Sequence, residues 1–213
     1  MIISVGGRKG GCGKTTLITN LAALAAMEGH SVALLDADPK PDAAEWATRR
    51  QEHDVAPIHV KRCAGDIDDA IIALANSHTH VFIDTGGFDG PEVRYAMAYS
   101  NVFLAPFNAS TFDLYTARDL SETLGIARPS NPDLRSYSVL ASASNHPNSV
   151  SGTKARQTLS EFQRLPCLSA SMHALEIWRT AADQGLGVCE LKGMGHKACD
   201  DITAIASEIL LWS

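Results

Sequence analysis

The chain has 213 residues, with 18 Lys and Arg against 24 Asp and Glu, a formal net charge of −6. That balance excludes a uniformly basic nucleic-acid coat protein. Hydrophobic residues make up 45% and charged residues 20%, a composition that buries a core and lies far from that of disordered chains, and the length predicts one domain over residues 1–213.

Short Val- and Ile-rich runs alternate along the chain with longer helical patterns, as in parallel strands joined by crossover helices. Strands are predicted at about Ile2–Val5, Ser31–Asp36, Ile58–Lys61, His80–Asp84, Val102–Pro106, Ser136–Ala141 and around Leu165–Leu168. The first helix is predicted over Thr15–Glu28, where Ile18, Leu21, Ala22 and Ala25 recur on one face and Gly29 provides the stop. Later helices are predicted over Asp42–Asp54, Asp66–Asn76, Pro91–Tyr99, Phe112–Ile126, Gly152–Phe162, His173–Asp183 and Asp200–Leu211. Ser142–Gly152, dense in Ser, Asn and Pro, reads as an exposed loop.

Five scattered cysteines, Cys12, Cys63, Cys167, Cys189 and Cys199, predict neither a disulfide framework nor a Cys-x-x-Cys pair, which fits a reducing cytoplasm. The segment Met1–Val5 runs straight into glycines without a basic region or apolar leader, and no stretch reads as a membrane span. The C-terminal pattern Ile202, Ile205, Ala206, Ile209, Leu210, Trp212 has helical spacing, but its polar side carries Asp200, Asp201 and Glu208. That is the wrong sign for anionic lipid, so this helix is expected to pack on the sheet. His196 and Cys199 lack a second ligand pair for a metal.

Between the first strand and first helix lies Gly6-Gly7-Arg8-Lys9-Gly10-Gly11-Cys12-Gly13-Lys14-Thr15-Thr16. Glycines let backbone N–H groups turn around phosphate oxygens, Lys14 adds a point charge, and the helix N-terminus adds its dipole. The predicted nucleotide-binding residues are Gly10, Gly11, Cys12, Gly13, Lys14, Thr15 and Thr16, with the Thr15 hydroxyl placed for Mg²⁺. Two acidic strand ends follow, Asp36-Ala37-Asp38-Pro39-Lys40 and Asp84-Thr85-Gly86-Gly87. In a doubly wound sheet they converge with the phosphate loop at the carboxyl ends of the strands.

The second lysine, Lys9, ahead of Gly10-Gly11, resembles the deviant Walker A loop of the ParA/MinD family of ATPases. Asp36–Pro39 is similar to the family's switch I motif, with Lys40 in place of Gln. Asp84 matches its Walker B aspartate, Gly86-Gly87 its switch II turn, and Pro106–Leu114 a further family segment with Ala109 in place of proline. With no room before Ile2 for a helix-turn-helix domain, the chain looks most like the short ParA type, similar to the ParF partition ATPases.

The resemblance implies an α/β fold with a doubly wound, mostly parallel sheet of the P-loop NTPase type, with ATP and Mg²⁺ as cofactors. It assigns Lys9, Lys14 and Asp38 to catalysis, with Lys9 reaching the partner subunit's phosphates. Thr15, Asp38 and Asp84 fall at the metal, and Asp36, Pro39, Thr85, Gly86 and Gly87 in the switches, Asp36 orienting the P-loop threonines or the metal's waters. The implied cycle is ATP-dependent homodimerisation, non-specific DNA binding and hydrolysis stimulated by a ParB-type centromere-binding protein, on the cytoplasmic nucleoid, segregating a plasmid or chromosome.

The resemblance also implies non-specific DNA contacts from basic residues in the C-terminal half, and the charge distribution offers a pool for them there. Residues 1–127 hold 10 basic and 16 acidic side chains, and residues 128–197 hold 8 and 5. The candidate contacts are Lys154, Arg156, Arg164, Arg179, Lys192 and Lys197. Two other functions remain open: an ATPase of the same fold positioning a protein cargo, and a metabolic P-loop ligase.

Overall fold

The computed structural model describes residues 1–7, 10–87, 90–108, 114–143 and 150–209. Seven strands, β1 (Ile2–Val5), β2 (Val32–Ala37), β3 (His59–Arg62), β4 (His80–Thr85), β5 (Val102–Asn108), β6 (Arg135–Ala143) and β7 (Cys167–His173), form one sheet of order β3-β2-β4-β1-β5-β6-β7. Every pairing is parallel. The α/β prediction therefore holds, with a sheet that is parallel throughout.

Alternation along the strands divides the core in two. Ile3, Val5, Leu34, Phe82, Val102 and Leu104 face one side, where α1 (Lys14–Met27), α2 (Asp42–Arg50), α7 (Ile177–Asp183) and α8 (His196–Glu208) cover them. Ala33, Leu35, Val81, Ile83, Phe103, Ala105 and Phe107 face the other. There α3 (Asp68–Ser77), α4 (Pro91–Tyr99), α5 (Leu114–Ala127) and α6 (Val150–Leu159) pack. Helix α1 is buried nearly all round, which explains why its apolar positions spread beyond one stripe.

Several boundaries differ from those predicted, each for a physical reason. α2 ends at Arg50 rather than Asp54, because the amides of Gln51, Glu52 and His53 turn to the carbonyls of Thr48, Arg49 and Arg50, three residues back; the Arg50 guanidinium meanwhile grips both oxygens of Glu190, at 2.6 Å each, and the carbonyl of Ala56 at 2.9 Å. β7 starts and ends later than predicted. Its Ser169-Ala170-Ser171 centre is weakly apolar because it lies at the sheet edge, where the Glu208 carboxylate accepts from the amides of Ser169 (2.7 Å) and Ala170 (2.9 Å). α7 starts at Ile177, since His173 still belongs to β7, and α8 starts four residues early behind a left-handed Gly195. The predicted Ser142–Gly152 loop is shorter, with β6 running to Ala143 and α6 starting at Val150; residues 144–149 lie outside the described residues.

One covalent link overturns the cysteine reading: Cys189 and Cys199 form a disulfide, their Cα atoms 4.8 Å apart. Cys189 sits in a 3-10 turn, Val188–Glu190, and Cys199 on α8, so the short turn between them folds one back against the other. Ten residues of sequence concealed that juxtaposition. α8 packs on the sheet as expected, with Ile202, Ile205, Ala206 and Ile209 fully buried. Among the described residues no helix is long and apolar enough to cross a membrane.

Candidate nucleotide site

The site lies at the carboxyl ends of β1, β2, β4, β6 and β7. β1 delivers the chain to the phosphate loop, which then enters α1 at Lys14. Gly6 donates its amide to Leu104 O at 3.1 Å, tying the start of the loop to β5. Gly13 caps α1 with φ 92°, a left-handed conformation in which any side chain would be strained, and its carbonyl accepts from the amide of Leu17 at 2.9 Å. Lys14 is buried at the first turn. Burial also raises the Cys12 thiol above its ordinary range, with Lys14 opposing, so Cys12 stays protonated and is no nucleophile at neutral pH.

Below the loop, the Thr15 hydroxyl donates to Asp84 Oδ2 at 2.7 Å. The other oxygen of Asp84 is buried without a hydrogen-bond partner. Burial raises this carboxyl to about 7, against the opposing pull of the Thr15 hydrogen bond; Asp36 and Asp38 add to the rise and Lys14 opposes it. A native carboxylate with one idle, buried oxygen calls for a cation. The Thr15 hydroxyl and the idle Asp84 oxygen are hard donors that fit Mg²⁺, whose remaining positions suit phosphate oxygens and water. No cluster of three or more His, Cys, Asp or Glu side chains among the described residues could hold a metal without such help.

The two predicted switches meet. Adding a Cβ to Gly86 would place it 2.9 Å from Pro39 Cδ and 3.4 Å from the Asp38 carboxyl, so only glycine lets β4's end pack against the segment after β2. Thr85 is buried and donates to Val5 O at 2.7 Å, which fixes this turn to β1. Asp38 is half-buried, with Oδ1 accepting from the amide of Lys40 at 2.9 Å. Asp36 serves differently from its expected role toward the P-loop or metal waters. Its oxygens accept from the amides of Asp38 (3.2 Å) and Ala44 (2.8 Å), so it holds the switch segment to the first turn of α2. Burial raises its carboxyl above the usual range, with those hydrogen bonds opposing.

Beside the phosphate loop opens a cleft of about 200 Å³ that the sequence reading missed. It is lined by Gly11, Gly13 and Thr16, by Ala141 and Ser142 from the end of β6, and by His173, Leu175 and Trp178. Ser142 has φ 52°, the lone left-handed non-glycine among the described residues. The available signal was weak: a histidine at the end of the last strand, followed by Trp178 at a helix start.

Lys9 lies outside the described residues, as do residues 109–113 of the Pro106–Leu114 segment. The six basic candidates do not share one environment. Lys154, Arg164, Arg179, Lys192 and Lys197 are exposed, Arg179 facing Asp183 at 3.9 Å and Lys197 facing Asp201 at 3.7 Å. Arg156 is instead engaged along β7, donating to Leu168 O (2.5 Å), Ser169 O (2.7 Å) and Ser171 Oγ (2.5 Å).

Comparison with known proteins agrees with this geometry. The family model described as the CobQ/CobB/MinD/ParA nucleotide binding domain matches residues 3–209. The maintenance of carboxysome distribution protein A of Halothiobacillus neapolitanus is 30% identical over 212 residues, 98% of this chain and 95% of its own length. Among solved structures, MinD of Pyrococcus horikoshii complexed with Mg-ADP superposes with a TM-score of 0.74 at 14% identity, covering 98% of this chain and 95% of MinD. An ATP complex of a Cyanothece McdA variant gives 0.73 at 16%, covering 100% and 96%. Both show the same fold. The chain belongs to the CobQ/CobB/MinD/ParA nucleotide-binding domain family.

Proposed function

We propose that the chain is a Mg²⁺-dependent positioning ATPase that dimerises with ATP, holds non-specific DNA as a dimer on the nucleoid, and is reset when a partner protein triggers hydrolysis. The cargo we assign is a protein assembly. Likeness over 98% of the chain to proteins named for maintaining carboxysome distribution is the observation that carries this assignment.

The chemistry rests on the residues around the idle Asp84 oxygen. Thr15 and Asp84 hold Mg²⁺, which supplies charge neutralisation at the phosphates. Amides of Gly10–Thr16 and the Lys14 ammonium bind the phosphates. Asp38 orients the attacking water, and Gly86 and Gly87 report the γ-phosphate to the switch segment that Gly86 packs against. Lys9 crosses to the other subunit, where an extra cation stabilises the charge spreading over the transferred group. The exposed cations Lys154, Arg164, Arg179, Lys192 and Lys197 are the DNA-facing pool.

Two experiments test the reading. Lys9→Ala leaves ATP binding intact and removes partner-stimulated hydrolysis; unchanged turnover would refute its action across the dimer. Affinity capture of the ATP-bound chain from its own host, followed by imaging of a fluorescent fusion, separates the cargoes. Retention of a protein-assembly adaptor, with assemblies clumping in the deletion strain, supports a protein cargo. Retention of a centromere-binding ParB-type protein, with plasmid or chromosome loss, replaces it with DNA segregation.

A further inference from the structure

The cleft beside the phosphate loop contains a polarised side-chain pair that the nucleotide chemistry described above does not use. His173, at the end of β7, lines the cleft, and its Nδ1 lies 2.8 and 2.9 Å from the two oxygens of Asp201. Asp201 is 5% exposed, on α8, and it also accepts the main-chain amide of His173 at 2.9 Å. On the other side, Trp178 Nε1 donates to His173 O at 2.8 Å. The ring is thus fixed through its backbone and through one nitrogen, in the lining of a cleft that the P-loop residues Gly11, Gly13 and Thr16 also line.

An ionised carboxylate only accepts, so Nδ1 must carry a proton. In the neutral ring that leaves Nε2, the nitrogen Asp201 does not take, as a bare acceptor. We propose that His173, held in this tautomer by Asp201, is the element that reads the base of the nucleotide, selecting a purine with an amino group at position 6 over one with a 6-oxo group. An exocyclic amine offers Nε2 a hydrogen, whereas a carbonyl oxygen sets acceptor against acceptor in a partly buried site. This assignment rests on the reading of the P-loop as a nucleoside triphosphate site.

The test measures dissociation constants for ATP, GTP and the 6-deaminated analogue purine riboside triphosphate, with Mg²⁺ at pH 8, on the full chain. The wild type should bind ATP about tenfold more tightly than either of the others. In His173→Ala, ATP should weaken about tenfold and the 6-deaminated analogue should bind as well as ATP, while His173→Gln, whose amide oxygen restores an acceptor, should recover part of the preference. Ratios taken on one variant are insensitive to a loss of folded fraction, so a merely structural role for His173 would not move them. Equal wild-type affinities for ATP and GTP, or a preference for the 6-amino group that survives in His173→Ala, would overturn the assignment and leave the ATPase reading standing. Failure of the wild type to bind any triphosphate would overturn both.

Discussion

At the scale of single residues, Asp84 is where folding and chemistry conflict. Its ordinary value is 3.8 and burial lifts it to about 7 in the folded chain. Between those values the native state keeps a proton that the unfolded state releases, so without metal this group lowers stability as pH rises from about 4 to about 7. The loss amounts to at most about 4 kcal/mol and is flat above that window. Asp84→Asn removes the effect. In EDTA the variant should match the wild type near pH 4 and exceed it at pH 8 in urea unfolding, yet lose Mg²⁺-dependent hydrolysis. A wild type that gains stability relative to Asp84→Asn as pH rises would contradict the assigned burial. Gly86 supplies a second residue-scale prediction. Gly86→Ala presses on Pro39 and Asp38, so turnover should fall at least about tenfold while ATP affinity changes little; unaltered turnover would show that the two switches move apart in the active state.

Much of this was legible in the sequence, because the phosphate loop is contiguous and its glycines and Lys14 carry their chemistry in order. The acids were legible as a set but not in their division of labour. Asp36 and Asp84 both lie at the carboxyl ends of strands, and nothing in the letters says that the first bonds two backbone amides while the second keeps an oxygen idle. His173 was illegible because its meaning comes from Asp201, 28 residues away on another element.

At the scale of elements, the region behind the switch is tied together by a buried ion pair. Arg50 and Glu190 have side chains 5% and 4% exposed, joining the end of α2 to the 3-10 turn, and Trp46 Nε1 reinforces the joint by donating to Leu186 O at 3.2 Å. The same turn meets α1 through the amide of Val188, which donates to Asn20 Oδ1 at 2.8 Å. Glu190→Ala strands a guanidinium in the interior and should cost about 3–5 kcal/mol. The double variant Arg50→Met with Glu190→Leu should recover most of that, both read by urea denaturation; a cost below about 1 kcal/mol for Glu190→Ala would show the pair to be open to solvent. Periodicity found nearly every helix and strand, and it erred at what it does not encode: the tightened turn that ends α2, the Glu208-capped edge of β7, and the pairing of Cys199 with Cys189.

At the scale of the molecule, the net charge of −6 coexists with a basic stretch over residues 128–197. The structure divides that stretch, leaving Lys154, Arg164, Arg179, Lys192 and Lys197 exposed while Arg156 is engaged along β7. One subunit sets this stretch against a net charge of −6, so DNA affinity should depend on doubling it in a dimer, and hence on ATP. The most direct test measures binding of the chain to non-specific duplex DNA with ATP, with ADP and without nucleotide, each across a salt titration. Binding is expected only with ATP and Mg²⁺, lost in Lys14→Ala and weakened at least about tenfold between 50 and 200 mM salt; binding that ignores nucleotide or salt, or no binding with ATP and Mg²⁺, would contradict an ATP-gated DNA-binding dimer.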